Sequence, residues 1–150
     1  MPLDGLHVML NKVGSRAEVA PAQLDALAAS ARHGLGQAFT MRAHPMAGSR
    51  GAVRFTLTPW TELVALHGAL FEAGRVAGIP GGKPTAHFRP HLGVAFNNRD
   101  RAAAECIETV AELRGRPAVE VVVDRVSLVE LRREERAYVW DVLHEVPLGR

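Results

Sequence analysis

The chain has 150 residues, a usual length for one domain and enough to build a hydrophobic core without disulfides or structural metal ions. Hydrophobic residues make up 47% of it and charged residues 23%, which is typical of globular proteins rather than disordered or membrane proteins. The excess of basic over acidic side chains, 18 against 16, is too small to predict bulk binding of nucleic acid. It remains compatible with a small anionic ligand. We therefore predict a single domain over residues 1–150.

The sequence favours a cytoplasmic protein. No apolar run reaches the roughly 18 residues that a membrane-spanning helix needs, so no membrane partner is expected. The first residues, MPLDGLHVML, lack the basic start and long apolar stretch of a secretory signal peptide. The single cysteine, Cys106, cannot form a disulfide within the chain, which is typical of a reducing compartment.

Helical and extended patterns alternate along the chain. Residues 6–13 alternate in polarity and predict a strand that carries His7, Met9 and Asn11 on one face. Apolar residues at helical spacing predict helices over 20–35, 60–79 and 99–116. Runs of strand-forming residues bounded by glycines or charged turns predict strands over 37–46, 51–59, 91–98, 118–133 and 136–148.

The order of these elements is β-α-β-β-α-β-α-β-β, and helices interspersed with hairpins favour an α+β fold over a doubly wound one. The third helix is expected to begin at Asn98 or Asp100 and to end near Gly115. The sequence contains a weak internal repeat, in which a strand with a histidine is followed by a helix and a hairpin. One copy begins at His7 and the other at His91. In a two-lobed fold with pseudo-twofold symmetry, the two rings would share a cleft.

Three stretches resemble the two-histidine (2H) phosphoesterase superfamily, in particular its bacterial branch of RNA 2',5'-ligase-like and cyclic phosphodiesterase-like proteins. They are LHVMLNKVG around His7, FRPHLGVAFNN around His91 and the C-terminal VDRVSLVELRREERAYVWDVLHEVPLG. The resemblance implies a bilobal α+β fold with antiparallel sheets, helices on the outside and a central cleft. It also implies that His7 and His91 face each other across that cleft as the catalytic pair, without a metal or a cofactor.

The reaction that the resemblance implies is hydrolysis or transfer at a 2',3'-cyclic phosphate, a 2',5'-linked RNA end or another phosphodiester. One group must remove a proton from the nucleophile while another protonates the leaving oxygen, and two imidazoles can hold those two states near neutral pH. The spacing of residues also argues against a metal site, since no two histidines stand at i, i+4 on a predicted helix.

Both histidine motifs depart from the family pattern His-x-Thr/Ser. Met9 and Gly93 stand where the family carries a hydroxyl that would bind a phosphate oxygen. We expect both positions to contact substrate, Met9 as an apolar floor and Gly93 as a place where a ligand can approach the backbone. Because each such donor can contribute about 10²-fold or more in rate, the two losses predict weaker phosphodiester chemistry.

The start of the chain departs from the family as well. Family members usually carry a strand and a helix before the first motif, whereas His7 lies close to the first residue. Either the chain is naturally short or its true start lies upstream. If the short start is natural, this strand and helix are missing and one sheet edge is expected to expose unpaired backbone groups. A second copy of the chain, forming a homodimer, is the simplest partner to cover that edge.

Three further residues are candidates for substrate binding, namely Asn11, Arg89 and Asn98. Arg89 is either a clamp for phosphate or carboxylate or a cap for its own loop. Asn11 and Asn98 can supply amide donors to a ligand, although turn formation explains Asn98 equally well. The face on which Arg54 lies cannot be assigned from the sequence. The remaining histidines are interpreted as structural or surface residues: His33, His44, His67, His87 and His144.

Three functions stay open at this stage. The chain is a 2H-type enzyme acting on a nucleotide-like phosphodiester, a diverged acid/base enzyme acting on a non-phosphate substrate in small-molecule biosynthesis, or a catalytically silent binding module. The absence of both motif hydroxyls favours the second and third, whereas the presence of His7 and His91 favours the first and second.

Overall fold

The computed structural model describes residues 5–96, 102–134 and 137–149. In these ranges the chain forms α1 (Pro21–Gly34), β1 (Phe39–Gly48), β2 (Ala52–Thr58), α2 (Thr61–Val76), β3 (His91–Phe96), α3 (Ala103–Ala111), β4 (Val119–Val123), β5 (Arg125–Glu134) and β6 (Ala137–Pro147). A short 3-10 helix, Thr85–His87, lies in the loop before β3. Across the described residues, no helix has the length and apolar character needed to cross a membrane.

The α+β class predicted from the sequence is confirmed, because helices alternate with antiparallel ladders between β1 and β2, β2 and β3, and β5 and β6. The three predicted helices form as α1, α2 and α3. The third ends at Ala111 rather than near Gly115, and turns follow it. Its predicted start at Asn98 or Asp100 lies outside the described residues.

Two strand predictions are wrong. Residues 6–13 form neither helix nor strand. An alternating pattern becomes a strand only where a neighbour completes its backbone hydrogen bonds, and no sheet formed by the described residues includes this segment. The predicted run over 118–133 is two strands, β4 and β5, which break at Asp124 and join different sheets.

The chain divides by its internal contacts into two compact units. Among the described residues, the sheet unit contains 5–9, 40–60, 90–96 and 102–121, and the helical unit contains 10–39, 61–89, 122–134 and 137–149. The two copies of the internal repeat, which begin at His7 and at His91, therefore do not correspond to the two structural units. The physical reason is strand pairing, since β2 from the first half of the sequence pairs with β3 from the second.

The four-stranded sheet has the order β3-β2-β1-β4, and most of it lies in the sheet unit together with α3. One face of this sheet is apolar, with Met41, Ala43 and Leu57 buried. Gly48 pairs with Val53 on that face, and a Cβ added at Gly48 would lie 3.3 Å from the Ile107 Cα. Helix α3 therefore covers this face and approaches β1 closely at the glycine.

The helical unit is built from α1, α2 and the β5–β6 hairpin. Its core consists of small and aliphatic side chains from all three, which are Leu27, Ala28, Ala31, Ala73 and Val146. Val126 and Leu128 of β5 and Leu70 of α2 pack around this core. Burial of these side chains against one another is the main stabilising term that the unit offers.

The glycines of the loop over 80–90 allow it to pack against the segment that follows the first motif. A Cβ at Gly81 would overlap the Val13 carbonyl group, so only glycine fits there. Gly82 has a positive φ of 107° and lies against the Asn11 side chain. These contacts hold residues 11–13 in place although the segment forms no strand.

His67 is a buried histidine of the helical unit, which confirms its structural interpretation. It is 1% exposed, and its ring stacks on Phe88 with the centroids 4.4 Å apart. The His67 Nδ1 lies 3.0 Å from the Thr85 hydroxyl oxygen. Burial penalises the charged imidazolium and holds the pKa of His67 below its ordinary value of 6.5.

The buried ring makes stability depend on pH. Because the pKa of His67 is lower in the folded state, the unfolded chain binds more protons below about pH 6.5, and the free energy of unfolding falls as the pH drops through that value. In His67→Phe this contribution is absent. We therefore expect the free energy of unfolding, measured with urea, to differ less between about pH 5.5 and about pH 7.5 than it does in wild type. His33→Gln, at an exposed helical position, is the control and should keep the wild-type difference. Equal pH dependence in wild type and His67→Phe would contradict the argument.

Candidate active site

The second histidine motif begins strand β3, as the sequence predicted. Arg89 and Pro90 precede it, and β3 runs antiparallel to β2 from its first residue. In this register His91 lies directly opposite Thr56, and Gly93 lies directly opposite Arg54. Directly paired residues project to the same side of a sheet, so the β2 side chains are the nearest cross-strand neighbours of the motif.

The same face continues onto β1, where His44 pairs with Thr56 and Arg42 pairs with Thr58. His44, Thr56 and His91 therefore form one row across three strands. We call the face that contains this row the polar face, and its residues are Arg42, His44, Arg54, Thr56, Thr58 and His91. Both arginines and both threonines are exposed, whereas the two histidines are half-buried.

The polar face carries positive charge. It contains two guanidinium groups and two imidazoles, and none of its six residues is acidic. Neither Arg42 nor Arg54 forms an ion pair with the described part of the chain. The His44 Nε2 lies 2.6 Å from the Thr58 hydroxyl oxygen, which fixes that ring on the sheet. Such a face attracts anions and offers them hydroxyl donors.

The first motif lies in the same compact unit as the second. His7 is half-buried, and its Nδ1 lies 2.9 Å from the Gly5 carbonyl oxygen. Since a carbonyl oxygen can only accept, Nδ1 must donate, and the basic nitrogen of the neutral ring is Nε2. Met9 is 54% exposed. Because residues 6–13 form no strand, the expectation that His7, Met9 and Asn11 share one strand face is wrong.

The three predicted substrate-binding residues outside the histidine motifs do not lie in the described part of the sheet unit. Asn11 and Arg89 belong to the helical unit, whereas His7, Met9, His91 and Gly93 belong to the sheet unit. The Arg89 guanidinium donates to the carbonyl oxygens of Ala86 and Phe88 at 2.9 and 2.7 Å. This geometry is that of a loop cap, one of the two roles left open for Arg89. Asn98 lies outside the described residues.

A pocket of about 360 Å³ opens elsewhere in the sheet unit. It lies between the β1–β2 turn and α3, with Ser49, Val53, Ala95 and Cys106 among its lining residues. None of the predicted site residues lines it. Within the described ranges, no group of three or more His, Cys, Asp or Glu side chains is arranged to hold a metal ion.

The sequence predicted only His91 among the six residues of the polar face, and three of the other five show why. His44 was interpreted as structural, Arg54 could not be assigned to a face, and Thr56 was not singled out. Cross-strand register brings them beside the second motif, and register depends on bulges such as the shift between Val53 and Arg54. The one signal in the sequence is the alternation of Arg54, Thr56 and Thr58 along a single predicted strand.

The sequence profile of the 2'-5' RNA ligase superfamily matches residues 2–135. The chain belongs to this superfamily. The resemblance to the 2H phosphoesterases inferred from the two histidine motifs is thus confirmed. A comparison with curated protein sequences finds no match.

Several solved structures share the fold of this chain. Escherichia coli LigT in complex with 3'-AMP has a TM-score of 0.71 at 18% identity, covering 98% of this chain and 79% of LigT. LigT in complex with ATP has a TM-score of 0.70 at 16% identity, covering 100% of this chain and 80% of LigT. TT0787 of Thermus thermophilus has a TM-score of 0.68 at 21% identity, with coverages of 99% and 81%. The predicted fold class is confirmed by these likenesses.

The contact of His7 with Gly5 predicts one tautomer. In long-range proton–nitrogen NMR correlation spectra at a pH where the ring is neutral, His7 should carry its proton on Nδ1. His33 is the internal reference, because its Nδ1 lies 2.8 Å from the Ala29 carbonyl oxygen and should show the same pattern. A neutral His7 with its proton on Nε2 would contradict the geometry.

Proposed function

We propose that this chain acts on a phosphodiester of a small nucleotide-like ligand by metal-independent acid/base chemistry. The candidate substrates are a nucleoside 2',3'-cyclic phosphate, a 2',5'-linked RNA end or a related ester. His7 and His91 are the proposed catalytic residues. The observation that carries the proposal is the position of His91 on a cationic, hydroxyl-bearing face with Arg54 and Thr56 across the strand pair.

In hydrolysis of a cyclic phosphate, a water oxygen forms a bond to phosphorus while the bond from phosphorus to the 2' or 3' oxygen breaks. One imidazole takes the proton from the water, and the other, as imidazolium, gives a proton to the leaving oxygen. The Nδ1 contact of His7 with Gly5 orients that ring so that Nε2 transfers the proton. Negative charge develops on the phosphate oxygens in the transition state, and nearby cations and hydroxyls stabilise it.

The ligand class is supported by relatives. E. coli LigT has been crystallised in complex with 3'-AMP and with ATP, both nucleotides whose phosphates carry the negative charge. A small anionic ligand also fits the polar face, which presents arginine and histidine without a carboxylate. The substrate-binding roles of Asn11, Arg89 and Asn98 remain predictions from the sequence. A homodimer and a cytoplasmic location remain predictions.

A second candidate is acid/base chemistry on a less charged substrate. It is favoured by Met9, an exposed thioether at a position where the family carries a hydroxyl, and by Gly93, which offers no side chain to a phosphate. Under this alternative His7 and His91 keep their proton-transfer roles. A silent binding module is the limiting case in which neither histidine affects turnover.

The first test is turnover of nucleoside 2',3'-cyclic phosphates followed by chromatography of the products. We expect slow hydrolysis by wild type and losses of about 10²–10⁴-fold in His7→Ala and in His91→Ala, because each removes one proton-transfer group. His33→Ala is the matched control and should retain wild-type activity. Absence of turnover in wild type, or equal turnover in all variants, would overturn the proposal.

The double change Met9→Thr with Gly93→Thr separates the two candidates. If phosphodiester chemistry is native but weakened, restored hydroxyls should raise an activity that wild type already has. If wild type is inactive and the double variant gains activity, the natural substrate is not a phosphodiester and the second candidate stands.

A further inference from the structure

We propose that Arg54 and Thr56 of β2 form the phosphate-binding subsite beside His91, in place of the hydroxyls that the two motifs lack. The ligand group is a phosphate monoester or diester. This inference rests on the proposed function for its place in the reaction, but binding tests it without turnover. Neither residue belongs to a histidine motif.

The register places both side chains beside the second motif. Thr56 is directly opposite His91, and Arg54 is directly opposite Gly93, two residues further along β3 on the same face. Neighbouring strands are about 4.8 Å apart, so an oxygen of a phosphate in contact with the His91 ring is also within reach of the β2 side chains. The Thr56 hydroxyl on the neighbouring strand can thus take the place of a hydroxyl at position 93.

Thr56 is the hydroxyl of this row that is available to a ligand. The neighbouring hydroxyl of Thr58 is engaged by the His44 Nε2 at 2.6 Å. The Thr56 hydroxyl makes no hydrogen bond with the described part of the chain, and the residue is exposed. A hydroxyl that donates to an anionic oxygen forms a charge-assisted bond, which is stronger than a bond between neutral groups.

Arg54 shares its charge environment with Arg42 on the same face and differs from several exposed arginines elsewhere. Those arginines pair with carboxylates: Arg16 with Glu130, Arg75 with Glu72, Arg125 with Asp124 and Arg132 with Asp141. Arg54 is exposed, none of the six residues of the polar face is acidic, and no described carboxylate forms an ion pair with Arg54. Its cross-strand partner is Gly93, which carries no side chain. A guanidinium in this position suits bidentate binding of phosphate oxygens.

The experiment measures binding of 3'-AMP and of inorganic phosphate by isothermal titration calorimetry to wild type, Arg54→Met and Thr56→Val. We expect the Kd for 3'-AMP to rise about 10-fold or more in each variant, as for loss of one charge-assisted hydrogen bond. Thr56→Ser keeps the hydroxyl and should bind within about 3-fold of wild type. Arg32→Met removes the same charge from an exposed position of α1 and is the matched control for net charge.

Each outcome decides the inference. Wild-type affinity in Arg54→Met and Thr56→Val, an equal loss in Arg32→Met, or no binding of either probe to wild type would overturn it. Thr56 and Arg54 both lie at exposed strand positions, and thermal unfolding of each variant will show whether a loss of affinity reflects a loss of fold.

If cyclic phosphate is not hydrolysed but the two variants still lose affinity for 3'-AMP, the proposed reaction fails and the subsite stands. If turnover depends on His7 and His91 but KM is unchanged in both β2 variants, the reaction stands and the subsite fails.

Discussion

The antiparallel pairing of β2 with β3 is the constraint on which the candidate site depends. It sets His91 against Thr56 and Gly93 against Arg54, and through β2 it extends the row to His44 on β1. Because the side-chain period of a strand is two, a slip of one residue in this pairing would send His91 and Thr56 to opposite faces. The two bulges, between His44 and Ala47 and between Val53 and Arg54, adjust the register where the strands leave the row.

The two faces of the sheet have different roles because their residues differ in kind. Met41, Ala43 and Leu57 are buried on the face that α3 covers, and Gly48 allows the helix to approach closely. Their burial stabilises the sheet and fixes the register that the opposite face needs. The opposite face can then carry arginine, histidine and threonine without burying an unpaired charge, since its arginines and threonines remain exposed.

Local pattern predicted much of this molecule, and long-range pairing explains what it did not predict. The helices α1 and α2 and the hairpin β1–β2 follow from spacing and turn glycines within one stretch of sequence. The predicted strand around His7 is wrong because no sheet in the described part of the chain includes that segment, which local alternation cannot reveal. The family and the importance of His91 could be inferred from motifs. The neighbours of His91 could not, because Thr56 and Arg54 are more than thirty residues away along the chain and register depends on bulges.

The central claim is that a phosphate group is bound and transformed at the polar face beside His91, with His7 as the second proton-transfer group. Mapping of backbone and imidazole NMR shifts during titration with 3'-AMP tests it most directly. The account predicts that His7, His91, Arg54 and Thr56 shift together with one dissociation constant. Shifts confined to the pocket lined by Ser49, Val53 and Cys106, with both histidines unaffected, would contradict it.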